Sequence, residues 1–196
     1  MKIAIVKYNA GNIYSVVNAL NRLGINPVLT DDIEELSSAD KIIFPGQGEA
    51  SGAMRYLKER NLDKVIRDLH QPVLGICIGQ QLLCRHSEEG DTDCIGVFDT
   101  EVKRFTPSSH EYKVPAMGWN GIYGMKSKLF KGIPDNEFVY FVHSFYVPLC
   151  QYTAAVSDYI QPFSAALHKD NFYSTQFHPE KSGDAGERII KNFINI

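Results

Sequence analysis

The sequence predicts an α/β fold in which a mostly parallel β-sheet carries helices on both faces and has an antiparallel extension. Short apolar runs alternate with segments of helical periodicity in the first half of the chain, which is typical of β/α units. These runs are continuously apolar, as expected for strands that are buried on both sides. After about residue 95 closely spaced strand candidates replace the alternation. We therefore expect the second half to extend the sheet, partly antiparallel.

The elements of the first half are expected in the order strand, helix, strand. They are KIAIV (2–6), a helix over 13–23, PVL (27–29), KIIF (41–44), helical segments over 50–69 and PVLGIC (72–77). The second half offers the strands IGVFDTEVKRF, EFVYFVHSFYV, TAAVSDY and PFSAALHKDNFYSTQF, the last with the turn signal HKDN inside it. An amphipathic stretch over 185–194 predicts a closing helix. With no repeat and no linker, a single domain over residues 1–196 is expected.

Composition argues against several classes of function. The 20 basic and 23 acidic residues give a formal net charge of −3 without a long run of one sign, so neither nucleic acid nor a membrane surface is an expected partner. The start MKIAIVKY is too short for a signal peptide and no 18-residue apolar stretch occurs, so we expect a cytoplasmic protein.

The four cysteines lack CxxC spacing and are expected to be free thiols. Cys84, His86 and Cys94 match no zinc pattern, so neither a metal nor a cofactor is expected.

Cys77 lies between two glycines where an apolar strand gives way to a helix, in the stretch VLGICIGQQLL (73–83). Glycines at such a bend remove Cβ atoms that would block a substrate, and an equivalent turn presents the nucleophile of serine hydrolases. The N-terminus of the following helix favours the thiolate form of the sulfur. Cys77 is therefore a candidate nucleophile. The alternative is a small buried side chain at the end of a strand.

A candidate base and its orienting acid occur in QFHPE (176–180). His178 follows a strand-like run, and an extended His-Pro-Glu segment would place the ring and the Glu180 carboxylate on the same side. Cys77, His178 and Glu180 would then form a nucleophile, base and orienter set. Alone, this segment is more typical of a surface turn with a capping glutamate. His143 in YFVHSFY has no acid two residues away and is expected to line the site rather than to act as the base.

The loop PGQG (45–48) directly follows the predicted strand KIIF. Strand ends share one edge of a parallel sheet, so this loop and Cys77 can face each other and offer backbone N–H groups to a carbonyl oxygen. A nucleotide-binding loop is less favoured because neither GKS nor GKT follows and GxGxxG is absent. A plain turn before a helix is the remaining alternative.

Taken together, PGQG, GICIGQQ and QFHPE resemble the motifs of the class I, triad-type glutamine amidotransferases in their order and spacing. The resemblance implies a flavodoxin-like open sheet and hydrolysis of glutamine to glutamate and ammonia. Within that family, KYNAGNIYSV, VPAMGWN, YFVHSFY and HPEKSG are similar to glutaminase subunits that serve histidine biosynthesis. This similarity covers essentially the whole chain.

The resemblance implies a role for each matching position. Cys77 would form a γ-glutamyl thioester, His178 would carry the proton to the departing ammonia, and Glu180 would hold His178. The remaining assignments are backbone N–H groups of Gln47 and Ile78 as the oxyanion hole, and Gly48, Gln81, His143, Ser144 and Phe145 as the glutamine site.

The resemblance also implies a partner, a (β/α)₈-barrel cyclase that receives ammonia through a channel in a 1:1 heterodimer. Asn12, Trp119, Asn120 and Lys181 match positions that face this cyclase. Two alternatives remain: a glutaminase that feeds a surface-sugar amidotransferase, and a non-catalytic interaction protein of the same fold. A cysteine peptidase is disfavoured by GICIGQQ and HPEKS.

Three positions depart from the pattern of many family members. Lys7 stands where an aspartate is common, Gln80 where a methionine is common, and Phe145 where a tyrosine is common. Lys7 reverses a charge near the first loop, so a contact made there by an acid is in doubt. None of the three belongs to the triad.

Overall fold

The computed structural model describes residues 1–8, 11, 13–107, 109 and 111–196. The strands are β1 (Ile3–Val6), β2 (Val28–Thr30), β3 (Lys41–Phe44), β4 (Val73–Ile76), β5 (Cys84–Ser87), β6 (Thr92–Asp93), β7 (Phe98–Arg104), β8 (Ala116–Ile122), β9 (Glu137–His143), β10 (Phe145–Tyr146), β11 (Thr153–Tyr159), β12 (Gln161–Lys169) and β13 (Phe172–Thr175). The helices are α1 (Ile13–Arg22), α2 (Ile33–Ser37), α3 (Ala50–Glu59), α4 (Leu62–Arg67), α5 (Ile78–Leu82) and α6 (Gly183–Ile194). Two 3₁₀ helices cover Lys128–Phe130 and Pro179–Lys181. Across the described ranges, none of the helices has the length and apolar character needed to cross a membrane.

A seven-stranded sheet forms the centre of the molecule, with strand order β11-β12-β13-β4-β3-β1-β2. The pairs from β2 through β1, β3 and β4 to β13 are parallel, whereas β12 is antiparallel to both β11 and β13. The predicted α/β class, mostly parallel with an antiparallel extension, is confirmed. Because β3, β4 and β13 are parallel neighbours, their carboxyl ends lie side by side at one edge of the sheet.

Helices cover both faces of this sheet, as predicted. Ile3 and Ile5 of β1 face a core cluster that also contains residues of α1 and α6. Ala4 and Val6 face a second cluster formed with α2, α3, α4 and α5. All four residues of β1 are buried because successive side chains point to opposite, covered faces. This double burial explains why the strand reads as continuously apolar.

The prediction that the chain after about residue 95 extends the main sheet is wrong for four strands, β7 to β10, and the strands β5 and β6 were not predicted. β5, β6, β7 and β10 form a separate four-stranded sheet, and β8 pairs with β9 as a two-stranded hairpin. In β9, buried positions alternate with more accessible ones, so this strand has one outward face. That face carries apolar side chains, including Phe138, which are typical of a fully buried strand. The sequence of β9 therefore resembles a central strand although the structure leaves one face uncovered.

Candidate active site

Cys77 lies in a sharp turn between β4 and α5, at the carboxyl edge of the main sheet. Its backbone adopts φ 54° and ψ −108°, a conformation that L-residues rarely adopt. A Cβ on Gly79 would lie 1.9 Å from the carbonyl oxygen of Phe44 at the end of β3. Glycine at 79 thus permits α5 to approach β3, and this close packing holds the strained turn that presents the sulfur.

The other two members of the predicted triad follow the neighbouring strand. β13 pairs with β4 in parallel, and the Cys77 N–H donates to the carbonyl oxygen of Thr175 at 2.7 Å. His178, three residues later, donates from Nδ1 to Oε1 of Glu180 at 2.7 Å, and both side chains are 2% exposed. The prediction that the His-Pro-Glu segment is extended is wrong, because residues 179–181 form a 3₁₀ turn with proline at its first position. That turn, rather than strand alternation, brings the carboxylate back to the ring.

The electrostatics of His178 favour its protonated form. Burial opposes a charge on the imidazole, but the adjacent Cys77 sulfur and Glu180 carboxylate outweigh burial and raise its pKa to about 10. Because Nδ1 donates to Glu180, Nε2 is the ring nitrogen that remains for a reacting group. Nε2 is buried and has no hydrogen bond of good geometry to any described residue. A cysteine beside such a histidine is the arrangement of a nucleophile and its base.

A cavity of about 340 Å³ opens above Cys77, large enough for a small amino acid. Seven of the residues predicted from the sequence line it, besides Cys77 itself. They are Gln47, Gly48, Ile78, Gln81, His143, Ser144 and Phe145. Glu89, Pro115 and Val142 complete the lining and were not predicted. His178 and Glu180 lie outside this lining, in keeping with their burial.

His143 is a buried wall residue whose hydrogen bonding fixes its tautomer. Its Nδ1 donates to the carbonyl oxygen of Phe145 at 2.7 Å, which leaves Nε2 as an acceptor. Burial lowers the pKa of this imidazole to about 4, although the hydrogen bond to Phe145 raises it, and the nearby His178 lowers it further. His143 is therefore neutral near pH 7.

The PGQG loop is anchored on both sides of Gly46. The Tyr8 hydroxyl donates to the Pro45 carbonyl at 2.5 Å, and the Gly11 N–H donates to the Gln47 carbonyl at 2.7 Å. A Cβ on Gly46 would collide with the Tyr8 hydroxyl and Ile78, so the loop can pack this closely only with glycine there. Burial, and then the nearby Cys77, raise the pKa of Tyr8 well above its usual value, so this hydroxyl stays protonated and keeps its donor.

The residues predicted to face a partner protein are placed as follows. Trp119 is 55% exposed on β8, its ring contacts Tyr140 on β9, and the Lys181 ammonium lies over the same Tyr140 ring at 6.0 Å. Core packing of Trp119 is therefore excluded. Asn120 is half-buried and donates from its side chain to the Asp158 carbonyl at 2.7 Å. Asn12 lies outside the described residues.

Glu89 is a functional candidate that sequence reasoning missed. It lies in the turn between β5 and β6, is half-buried, and accepts a hydrogen bond from the Ala50 N–H at the start of α3. Burial raises the pKa of its carboxyl group, while the bond from Ala50 lowers it and the neighbouring Glu49 raises it. No local signal separates Glu89 from the adjacent Glu88, because only tertiary packing brings one of them to the cavity.

Comparisons with known proteins agree with this fold. The family model for class-I glutamine amidotransferases matches residues 4–196. The HisH subunit of imidazole glycerol phosphate synthase from Bacteroides fragilis is 66% identical, and that from Escherichia coli is 42% identical, each over the full length of both chains. A GMP synthase-like protein structure from Thermoplasma acidophilum has a TM-score of 0.77 at 24% identity, covering 100% of this chain and 93% of its own. The last similarity concerns the fold alone.

The fold and the site together define an α/β glutaminase of the triad type. The chain belongs to the class-I glutamine amidotransferase family and, within it, to the group of HisH subunits of imidazole glycerol phosphate synthase. Its activity is glutamine hydrolysis in histidine biosynthesis. Full-length identity of 42–66% to this group favours that function over a surface-sugar acceptor or a non-catalytic role.

Proposed function

We propose that Cys77, His178 and Glu180 hydrolyse glutamine through a γ-glutamyl thioester. Transfer of the thiol proton to Nε2 of His178 leaves a thiolate, which attacks the side-chain amide carbon of glutamine. His178 then returns the proton to the departing nitrogen, and ammonia leaves as the thioester forms. Water, deprotonated by His178, attacks the thioester, and the products are glutamate and the regenerated cysteine. The observation that carries this proposal is the buried pair of His178 Nδ1 and Glu180 Oε1 beside Cys77.

The oxyanion that forms during both attacks needs donors near the sulfur. Ile78 begins α5, where backbone N–H groups have no partner within their own helix. We assign its N–H, together with that of Gln47, to the oxyanion hole. The glycines flanking Gln47 permit a change of peptide orientation, and Gly48 has a positive φ of 154°. Activity that rises when the partner binds its nucleotide would follow from completing this hole.

Glutamine carries an α-ammonium and an α-carboxylate besides its reactive amide, and the cavity offers groups of matching character. Glu89 is the acidic side chain in the lining and would accept the α-ammonium. The Gln81 amide nitrogen already donates within the protein, so its oxygen is the atom left for substrate. Gly48, Ser144 and Phe145 would bind the head group through the backbone.

The relatives are named as subunits of a synthase, and we propose the cyclase HisF, a (β/α)₈ barrel, as the partner in a 1:1 heterodimer. One face of the β8–β9 hairpin supports an interface. Strand alternation and pairing place five side chains on this hairpin face: Met117, Trp119, Phe138, Tyr140 and Val142. Met117, Trp119 and Phe138 are 66%, 55% and 57% exposed. Val142 also lines the glutamine cavity, so this apolar face adjoins the place where ammonia is released.

Direct delivery of ammonia from this site to the partner has a chemical reason. Ammonia released into water at neutral pH becomes ammonium, which has no lone pair for attack on the phosphoribulosyl nucleotide. A partner seated on the hairpin face would exclude water from the path. A cytoplasmic location would suit this metabolic role.

The nucleophile assignment is tested with Cys77→Ser in the complex with HisF. Glutamine-dependent turnover should be lost, whereas turnover with added ammonium salt should equal that of the wild type. Loss of both activities would assign Cys77 a structural role and refute the proposal. Unchanged glutamine-dependent turnover would refute it as well.

The interface is tested with Trp119→Ala, compared with Leu149→Ala. Leu149 is 51% exposed but lies outside the hairpin face. Truncation of a central aromatic anchor typically weakens binding by at least about 30-fold. We expect that loss of HisF affinity for Trp119→Ala in titration calorimetry and no change for Leu149→Ala. Equal affinities for wild type and Trp119→Ala would refute the placement of the interface.

A further inference from the structure

Gln176 has a polar side chain that the mechanism above does not use. It lies just past the end of β13, two residues before His178, and is fully buried. Its Nε2 donates to Sγ of Cys77 at 3.6 Å, and its Oε1 accepts from Nε2 of Gln81 at 2.9 Å. Burying an amide is unfavourable unless its groups are hydrogen-bonded. Here one partner is the reactive sulfur itself.

The direction of the Gln176 amide is set by its neighbours. The two ends of an amide have similar shapes, so the hydrogen-bond network decides which end points where. The Phe145 carbonyl only accepts hydrogen bonds, so the Gln81 amino group must face it, at 3.1 Å. The same amino group donates to the oxygen of Gln176. A reversed Gln176 would place two amino groups together and an oxygen against the sulfur.

We propose that Gln176 is a catalytic residue that donates a hydrogen bond to the thiolate of Cys77, and that Gln81 is the positioning residue that aims it. This inference rests on the proposed role of Cys77 as the nucleophile. When the thiol proton moves to Nε2 of His178, negative charge stays on the sulfur, and the Gln176 N–H stabilises that charge. Gln176 loses no proton in the step, because an amide is neutral. The same N–H meets the thiolate again when hydrolysis of the thioester releases it.

The adjacent glutamine on α5 provides a matched control. Gln80 is also fully buried, but its amide donates to the Ser164 carbonyl at 3.2 Å and accepts from the Ser174 hydroxyl at 3.0 Å. Neither of these hydrogen bonds involves the Cys77 sulfur. Replacing Gln80 therefore removes a buried amide network of similar size and leaves the bond between Gln176 and the Cys77 thiol in place.

The test measures how fast iodoacetamide alkylates Cys77 as a function of pH, with the modified peptide quantified by mass spectrometry. Peptide-level detection separates Cys77 from Cys84, Cys94 and Cys150. For Gln176→Leu the midpoint of the profile should move up by about one pH unit or more, with roughly 10-fold slower alkylation at pH values below the midpoint, as expected for a lost hydrogen bond to a charged group. Gln176→Glu, which keeps the shape and adds a carboxylate, should move the midpoint further. Gln81→Met should move it in the same direction by less.

Gln80→Met should leave the profile where it is in the wild type. A Gln176→Leu profile that superimposes on the wild type, or an equal shift in Gln80→Met, would overturn the inference, since the effect would then be absent or a general result of repacking. If Gln176→Leu does not fold, Gln176→Glu decides by the same criterion. Failure of the proposed function is distinguishable, because Cys77→Ser would then retain glutamine-dependent turnover.

Discussion

Replacement of Glu180 by glutamine removes one charge from the buried pair while keeping its shape. The carboxylate accepts from Nδ1 of His178 at 2.7 Å with both side chains 2% exposed. A hydrogen bond to a charged group contributes about 1.5–3 kcal/mol, and a glutamine oxygen in the same place still accepts from Nδ1. We therefore expect glutamine-dependent kcat/KM to fall about 10- to 100-fold, since about 1.4 kcal/mol corresponds to one factor of ten. His178→Ala removes the base as well and should cost more.

The assay compares glutamine-dependent and ammonium-dependent turnover of the complex, so that damage to the partner site is detected separately. Glu187→Gln is the matched control, because Glu187 is an exposed carboxylate paired with Lys191 on α6. That variant should retain wild-type turnover with either nitrogen source. A Glu180→Gln variant with unchanged activity, or one as impaired as His178→Ala, would contradict the orienting role.

Two further predictions concern Gly79, which packs beside the turn that holds Cys77, and His143 in the wall of the cavity. Gly79→Ala should destabilise the fold by about 3 kcal/mol in urea unfolding, because its Cβ meets the Phe44 carbonyl. Gly52→Ala, whose Cβ would lie 3.5 Å from the Glu49 side chain in an ordinary contact, should instead stabilise the fold by about 0.5–1 kcal/mol; equal effects would refute the packing argument. His143 binds its proton more weakly when folded, with a pKa of about 4 against 6.5, so its contribution to stability is present above pH 6.5 and lost as pH falls toward 4. His143→Asn keeps a donor for the Phe145 carbonyl. Between pH 6.5 and 4 its free energy of unfolding should therefore fall by about 3 kcal/mol less than that of the wild type. Parallel curves of unfolding free energy against pH would refute the burial argument.

The parallel half of the fold could be predicted because each strand carries its own signal. β1, β3 and β4 are buried on both faces, so their burial appears as an apolar run, apart from Lys41 at the start of β3. The glycines around Cys77 indicated the sharp turn, but the structure gives a different reason from the expected access for substrate, namely that Gly79 lets α5 contact the β3 backbone. For these elements, the local sequence was sufficient to predict the structure.

Pairing between distant segments could not be predicted in the same way. The hairpin of β8 and β9 has an outward face with Trp119 and Phe138 exposed, and an apolar outward face has the same pattern as a buried one. The approach of Glu89 and Gln176 to the site also depends on tertiary packing. Gln176 did lie in the motif that identified His178, but its position in the chain offers no reason to connect its amide with Cys77, 99 residues earlier.

The covalent intermediate tests the account most directly. The complex with HisF and its nucleotide is mixed with excess glutamine, quenched in acid during turnover, and digested for mass spectrometry of the peptide that contains Cys77. The account predicts a γ-glutamyl group on Cys77 that is absent in Cys77→Ser and accumulates before steady state whenever deacylation is slow. A γ-glutamyl group on another residue, or normal glutamine-dependent turnover by Cys77→Ser, would contradict the central claim.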